Sequence, residues 1–398
     1  MSSNQSKMEN KICSRIKGLQ FSVIREMSQR AANMTDCISL GIGEPDFDTP
    51  QEVIQRAMQD VQNGYTHYAP AQGDPELLKL LSEKFSAETG MDIPVANIVV
   101  TPGGMGSLSA ALQAVLEPDD EVLIPEPYFP AYKAHVIMAG GRVVPVPTTF
   151  DNGFTLRAED LQRAVTSKTK VLILNSPNNP TGNVLDRQTL DELAEIIRDK
   201  ELIVLSDEVY DRMVFEGQFE SIVTRPGMAE QTLVIKSCSK TFAMTGWRVG
   251  FAFGPSWLMP QVIKVVNYAT TCVNTPGQRA ALAALSMDQE PFLAMSQSFQ
   301  RRVEFLWSRV QDIPGIRCHR PAGSFYLFPD ISSLNPDSTA FALSLLEKEK
   351  VLVIPGSAFG RSGQGCVRIA GTVGEKRLEE AMNRLQRYVT NVGQKTDA

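Results

Sequence analysis

Apolar residues along this chain fall into two kinds of run. One kind is short, rich in Val, Ile and Leu, and mostly non-alternating. It recurs at residues 97–101, 121–124, 171–174, 202–205, 232–235 and 249–253. Such runs suit strands covered on both faces. The other kind repeats every three or four residues. Met105, Leu108, Leu112, Val115 and Leu116 share one stripe after Gly104, and Leu190, Leu193, Ala194 and Ile197 share another within residues 186–200. Stripes of this period are the buried faces of helices. Strand and helix in alternation predict an α/β fold, a mostly parallel sheet covered by helices on both sides.

The last hundred residues change character. A charged helix is expected around residues 300–311, short strands near 325–328, 351–354 and 366–370, and helices over 339–350 and 375–389. That pattern predicts a smaller α+β domain. The segment before Asp46 is expected to join it, because the large sheet domain begins only after the Gly43-Glu44-Pro45-Asp46 turn. The chain then divides into a flexible tail (1–15), an N-terminal part of the small domain (16–48), a large domain (49–295) and a C-terminal part of the small domain (296–398).

Composition narrows the function. At 398 residues and 43% apolar content the chain can bury a large core, which excludes wholesale disorder. The 45 acidic against 39 basic side chains give a net charge of −6, so the broad basic field of a nucleic-acid binder is missing. No apolar run reaches membrane-spanning length, and residues 1–11 are too polar for a secretory signal. Six scattered cysteines without a Cys-x-x-Cys pair make no disulfide framework, so a reducing cytoplasm is the expected compartment. Three distant histidines and no Cys/His cluster leave no zinc site. No Walker loop occurs. Gly104-Met105-Gly106 has Ser109 where a dinucleotide fingerprint needs its third glycine, and Gly360-Arg361-Ser362-Gly363-Gln364 lacks the last glycine of a nucleophile elbow.

Five segments carry chemistry. Ser237-Cys238-Ser239-Lys240 follows an apolar strand, where active sites of parallel sheets gather. A lysine there is partly desolvated, which lowers its pKa and frees the lone pair that a Schiff base requires; most lysines simply reach water. Asp207 closes another strand, with Tyr210 three residues on. A carboxylate so placed needs a cation, such as a protonated pyridine nitrogen, or else serves as an ordinary cap. Asn175-Ser176-Pro177-Asn178-Asn179-Pro180-Thr181-Gly182 forms a rigid loop that leaves an Asn amide as a fixed donor. Thr101-Pro102-Gly103-Gly104-Met105-Gly106 opens a helix at a strand end, and its N–H groups suit an anion; Ser237 and Arg248 complete a phosphate cup. Arg368, inside the apolar strand Cys366-Val367-Arg368-Ile369-Ala370, should face a carboxylate, structural or from a substrate.

With these five pieces in order, nearly the whole chain resembles fold-type I pyridoxal-phosphate enzymes, and most closely the class I aminotransferases of the aspartate and aromatic group. The resemblance implies pyridoxal 5'-phosphate as cofactor and an amino acid and a 2-oxo acid as substrates, with residues 49–295 as the cofactor-binding domain. It implies that Lys240 carries the cofactor and shuttles the proton, with Asp207 on the pyridine nitrogen. Asn179 and Tyr210 bind the ring oxygen, and Phe129 stacks on the ring. Gly103, Gly104, Met105, Ser237 and Arg248 surround the phosphate. Gly43, Asn179 and Arg368 hold the substrate carboxylate. Tyr68 matches the tyrosine that reaches a neighbouring subunit's phosphate, so the resemblance also implies a homodimer with shared sites.

The departures concern substrate. Met105 stands where aspartate-specific relatives of this branch carry lysine, and Gln20 stands near where they carry a small hydroxyl residue. The loss of that cation favours neutral, aromatic or broad-range donors. The segment Phe21-Ser22-Val23-Ile24-Arg25 points the same way, with Arg25 expected in solvent on a helix, the alternative being that it serves a substrate's side-chain carboxylate. A lyase, cyclase or synthase on the same scaffold would keep every cofactor residue. A non-catalytic cofactor sensor is disfavoured by the short segment before Gly43.

Overall fold

The computed structural model describes residues 8–396. Residues 1–7, the opening of the expected tail, lie outside the described residues, as do 397 and 398. Ser14–Lys17 forms one helical turn.

Seven strands make the large sheet: β2 (Ile98–Thr101), β3 (Glu121–Glu126), β4 (Arg142–Pro147), β5 (Thr169–Asn175), β6 (Ile203–Asp207), β7 (Thr232–Ser237) and β8 (Gly250–Phe253), in the order β2-β8-β7-β6-β5-β3-β4. Only β8 runs antiparallel to its neighbours. Alternate residues of these strands enter opposite cores. Val99, Val122, Val171, Leu205, Leu233 and Ala252 pack on one side with the helices Gly103–Val115 and Met259–Thr270. Leu123, Leu172 and Val204 pack on the other side with the helix Arg187–Asp199. Burial on both faces explains the near-continuous apolar runs. Strand β4 was not foreseen. It is one of the two edge strands, it is half exposed, and Pro145 and Pro147 are tolerated because an edge leaves N–H positions unpaired.

The chain ends build a second core. Strand β1 (Ile38–Ser39) pairs in parallel with β10 (Val351–Leu352), while β11 (Ile354–Pro355), β12 (Val367–Ala370) and β9 (Tyr326–Leu327) form an antiparallel sheet in the order β11-β12-β9. Met27, Ala31, Ile38 and Leu40 share one apolar cluster with Phe299, Phe341, Ile369 and Leu385. The helix Glu290–Gln311 starts about ten residues earlier than expected, with Pro291 in its first turn, where a missing N–H costs nothing. Phe292 packs in the large-sheet core and Met295 in the second core, so this helix passes from one to the other.

Candidate active site

The carboxyl ends of the parallel strands converge on one side of the sheet, as topology requires of such sheets. Strand β5 ends at Asn175, β6 at Asp207 and β7 at Ser237, while β2 leads into the helix Gly103–Val115. The small antiparallel sheet brings Tyr326 and Arg368 over them. Between the two lies a cavity of about 350 Å³, lined by Gly43, Gly104, Met105, Phe129, Asn179, Asp207, Tyr210, Ser237, Lys240, Arg248 and Arg368 among others.

Each group sits in an environment that sets its chemistry. Lys240 lies in the short helix Cys238–Thr241, and its Nζ donates to Gly43 O at 2.5 Å. Desolvation is the main cause that brings its pKa down to about 8, partly opposed by Glu44 and reinforced by Arg368 and Arg248. Asp207 accepts from the Tyr132 hydroxyl at 2.7 Å and from the Val209 N–H at 3.3 Å. Desolvation pushes its carboxyl up to about 6 against those hydrogen bonds, and Lys240 acts on it only through space. A carboxylate held this way has room for a cationic partner in the cavity. Burial also raises the Tyr132 and Tyr210 phenols well above the usual range, so both are O–H donors at neutral pH.

Arg368 is 2% exposed, and no carboxylate among the described residues meets it. Its Nη1 donates to Asn179 Oδ1 at 2.8 Å and its Nη2 to Gly41 O at 2.6 Å, while Nε has no partner. Of the two carboxylates expected to face it, no structural one meets Arg368 among the described residues, and the guanidinium lines the cavity. Its guanidinium packs on the rings of Tyr326 and Phe359, 4.4 and 4.9 Å from their centroids. Asn179 spends its carbonyl oxygen on Arg368, which leaves its NH₂ to donate elsewhere.

The anion-binding features meet at one end. Gly104 and Met105 are in the first turn of the helix Gly103–Val115, whose leading N–H groups have no intrahelical acceptor. Gly103 sits at φ 71°, and a Cβ there would stand 2.8 Å from Arg248 Nη2. Glycine takes that left-handed turn without strain, and a side chain there would push the Arg248 guanidinium aside. Arg248 donates to Thr245 O at 2.9 Å and is otherwise exposed at the cavity mouth. Ser237 lines the cavity, but its hydroxyl also caps the next helix by accepting from Ser239 N–H at 3.1 Å.

Three expected residues stand apart, the first being Gly103, which is buried behind Gly104 and does not itself line the cavity. Tyr68 is 85% exposed and does not line this cavity. Gln20 is exposed and also absent from the lining, whereas Ile24, one turn later on the helix Val23–Ala32, faces the cavity. The wall assigned to Gln20 is thus formed by Ile24. Arg25 is in solvent, as expected. Sequence reasoning missed Tyr132 and Tyr326. Tyr132 lies in the first turn of the helix Ala131–Met138, three residues after Phe129, and their rings are 5.8 Å apart. Tyr326 had no local signal.

The residues present fit a phosphorylated, cationic aromatic aldehyde. There is an N–H-lined helix start with an arginine for phosphate, a buried carboxylate for a ring cation, and an amine of lowered pKa. Arg368, which lines the cavity and keeps one uncommitted N–H on each terminal nitrogen, remains for a second anion.

Comparison with known proteins agrees with this arrangement. The family described as aminotransferase class I and II matches residues 35–385. The chain is 42% identical over 373 residues to an aspartate aminotransferase of Pyrococcus abyssi, covering 92% of this chain and 95% of that one. It is 40% identical to the aromatic-amino-acid aminotransferase 2 of Thermococcus litoralis, covering 94% and 97%. Among solved structures, the aromatic aminotransferase of Pyrococcus horikoshii superposes with a TM-score of 0.87 at 40% identity, over 92% of this chain and 99% of that one. With the cavity, its lysine and its arginine in one fold shared along almost their full lengths, this chain belongs to the class I and II aminotransferases.

Proposed function

We propose that this aminotransferase binds pyridoxal 5'-phosphate in the cavity and moves an amino group from a neutral or aromatic amino acid to a 2-oxo acid in two half-reactions. The observation that carries the reading is Arg368, a buried guanidinium with no anionic partner, sharing one cavity with a lysine of lowered pKa. When bound, the cofactor supplies an electron sink that stabilises negative charge at the amino acid's Cα.

The chain's own residues supply the rest. Gly103, Gly104 and Met105 N–H groups, Ser237 and Arg248 would hold the phosphate. Phe129 would cover the ring, Asp207 would pair with its nitrogen, and Asn179 NH₂ and Tyr210 O–H would donate to its oxygen. Lys240, with a pKa of about 8, is partly neutral near pH 7.5 and serves as attachment point and proton carrier. Arg368 forks the α-carboxylate beside Gly43 and Asn179. Met105, Ile24 and Ile42 give the cavity apolar lining, which favours uncharged side chains. The relatives bear both aspartate and aromatic names, so they do not choose between donors.

The two-part division of the chain at residues 48 and 295, the cytoplasmic location and the homodimer belong to the same proposal. Tyr68 supports the dimer, because so exposed a tyrosine is free to reach a second copy's cavity. No described helix is long and apolar enough to cross a membrane. The test is borohydride reduction of the protein with pyridoxal 5'-phosphate, followed by peptide mapping, beside a panel of amino donors with one 2-oxo acid acceptor. The label should fall on Lys240, and neutral or aromatic donors should equal or exceed aspartate. A label on another lysine overturns the assignment, and a strong aspartate preference overturns the substrate reading.

A further inference from the structure

We propose that Tyr326 is a positioning residue of this site, holding the Arg368 guanidinium and the Tyr210 phenol at one fixed spacing. The inference rests on Arg368 as carboxylate anchor and Tyr210 as ring-oxygen donor, and its test separates the two ideas.

Tyr326 is 1% exposed and lies on β9, paired with Ala370 of β12, the strand that carries Arg368. Three contacts converge on its side chain. The ring lies 4.4 Å from the Arg368 guanidinium. The hydroxyl is 3.1 Å from the Tyr210 hydroxyl, across from the small sheet to the loop after β6. The same hydroxyl packs against Gly43, where any Cβ would collide with it, and Gly43 O accepts from Lys240. Gly43 is thus a glycine because Tyr326 occupies the space of its side chain.

These contacts divide into two jobs. The ring gives Arg368 an aromatic surface in place of water, which an arginine accepts without losing its donors. Either hydroxyl of this pair can donate; with the Tyr326 O–H as the donor, Tyr210 directs its own hydrogen into the cavity. A donor chain of two phenols stabilises an anionic oxygen at its end better than one phenol does. The ring therefore acts on carboxylate affinity, and the hydroxyl acts on the acidity of the group that Tyr210 serves.

Two variants separate the jobs. Tyr326→Phe keeps the ring and removes the hydroxyl, while Tyr326→Leu removes both. Each holoenzyme is titrated by absorbance against pH and by 3-phenylpropionate, a carboxylate with no amino group to react. Tyr326→Phe should raise the midpoint of the lysine-bound chromophore by about half a pH unit or more, the worth of one hydrogen bond. Its kcat should fall about 2- to 10-fold with KM nearly unchanged. Tyr326→Leu should in addition weaken 3-phenylpropionate about 3- to 30-fold. An unmoved midpoint in Tyr326→Phe overturns the proposal, as does wild-type carboxylate affinity in Tyr326→Leu. Arg368→Lys and Tyr210→Phe are the controls. If Arg368→Lys binds 3-phenylpropionate normally, the parent reading of the site fails and takes this one with it. If the controls behave as expected and the Tyr326 variants do not, Tyr326 alone is dismissed.

Discussion

Replacing Arg368 by lysine tests the site reading at its most exposed point. A guanidinium has five N–H donors. Asn179 Oδ1 and Gly41 O take one each, which leaves one N–H on each terminal nitrogen for a ligand, while the buried Nε has no partner. A lysine ammonium has three donors, and the same two acceptors compete for them, so it cannot offer two parallel bonds to a carboxylate. Disrupting a buried, hydrogen-bonded charge pair costs about 2–5 kcal/mol. That corresponds to a fall of about 30- to 5000-fold in kcat/KM, and it should apply to every amino acid and 2-oxo acid alike. Stability should respond differently. A buried charge without a counter-ion is expensive to fold around, so Arg368→Met trades that cost against two lost hydrogen bonds of about 1 kcal/mol each. The apo-protein of Arg368→Met should therefore melt within about 5 °C of wild type. The assays are steady-state kinetics over a donor and acceptor series for Arg368→Lys, and thermal melts without cofactor for Arg368→Met. Loss confined to one donor class would show that Arg368 reads side chains. A large drop in the melting point would show that it is a structural arginine with no ligand to await.

Three further outcomes follow from the same geometry. Asp207 titrates near 6 in the folded chain against an ordinary 3.8. A raised carboxyl pKa means stability that is present below pH 3.8 and lost as pH rises through 6. Asp207→Asn should thus match the wild-type apo-protein below about pH 4 and gain about 2–3 kcal/mol above pH 6, while losing most activity; melts across pH 4–8 with no gain at the upper end refute the buried-charge account. Met105→Lys puts a cation in the cavity wall and should move the ratio of aspartate to phenylalanine turnover upward by about tenfold, and an unchanged ratio removes Met105 from side-chain recognition. Tyr68→Ala and Lys240→Ala, each nearly inactive alone, should regain activity when co-expressed if Tyr68 serves the neighbouring subunit's site, because one site of the mixed dimer is then whole; absence of recovery places Tyr68 outside it.

The sequence by itself determined the parts that are local. Lys240, Asp207, Asn179 and Gly104 each stand within a few residues of a strand's carboxyl end, and parallel topology carries such ends to one side of a sheet. A motif a few residues long therefore holds both the residue and its destination. The other six strands of the large sheet were legible because burial on both faces leaves a continuous apolar run, whereas β4 was not, because this edge strand carries two prolines and is only half buried. Tertiary structure decided what depends on two distant segments meeting. Arg368 was visible as a buried cation, but its partners come from Gly41 and Asn179, 327 and 189 positions away. Ile24 displaces Gln20 from the cavity wall because the face of a helix that packs inward is set by the core it joins, through Met27 and Ala31. Tyr326 sits in a two-residue strand with no pattern of its own, and its place between Arg368, Tyr210 and Gly43 follows from the register of β9 on β12. Register is a cooperative property of the packed sheet, and no short stretch of sequence encodes it.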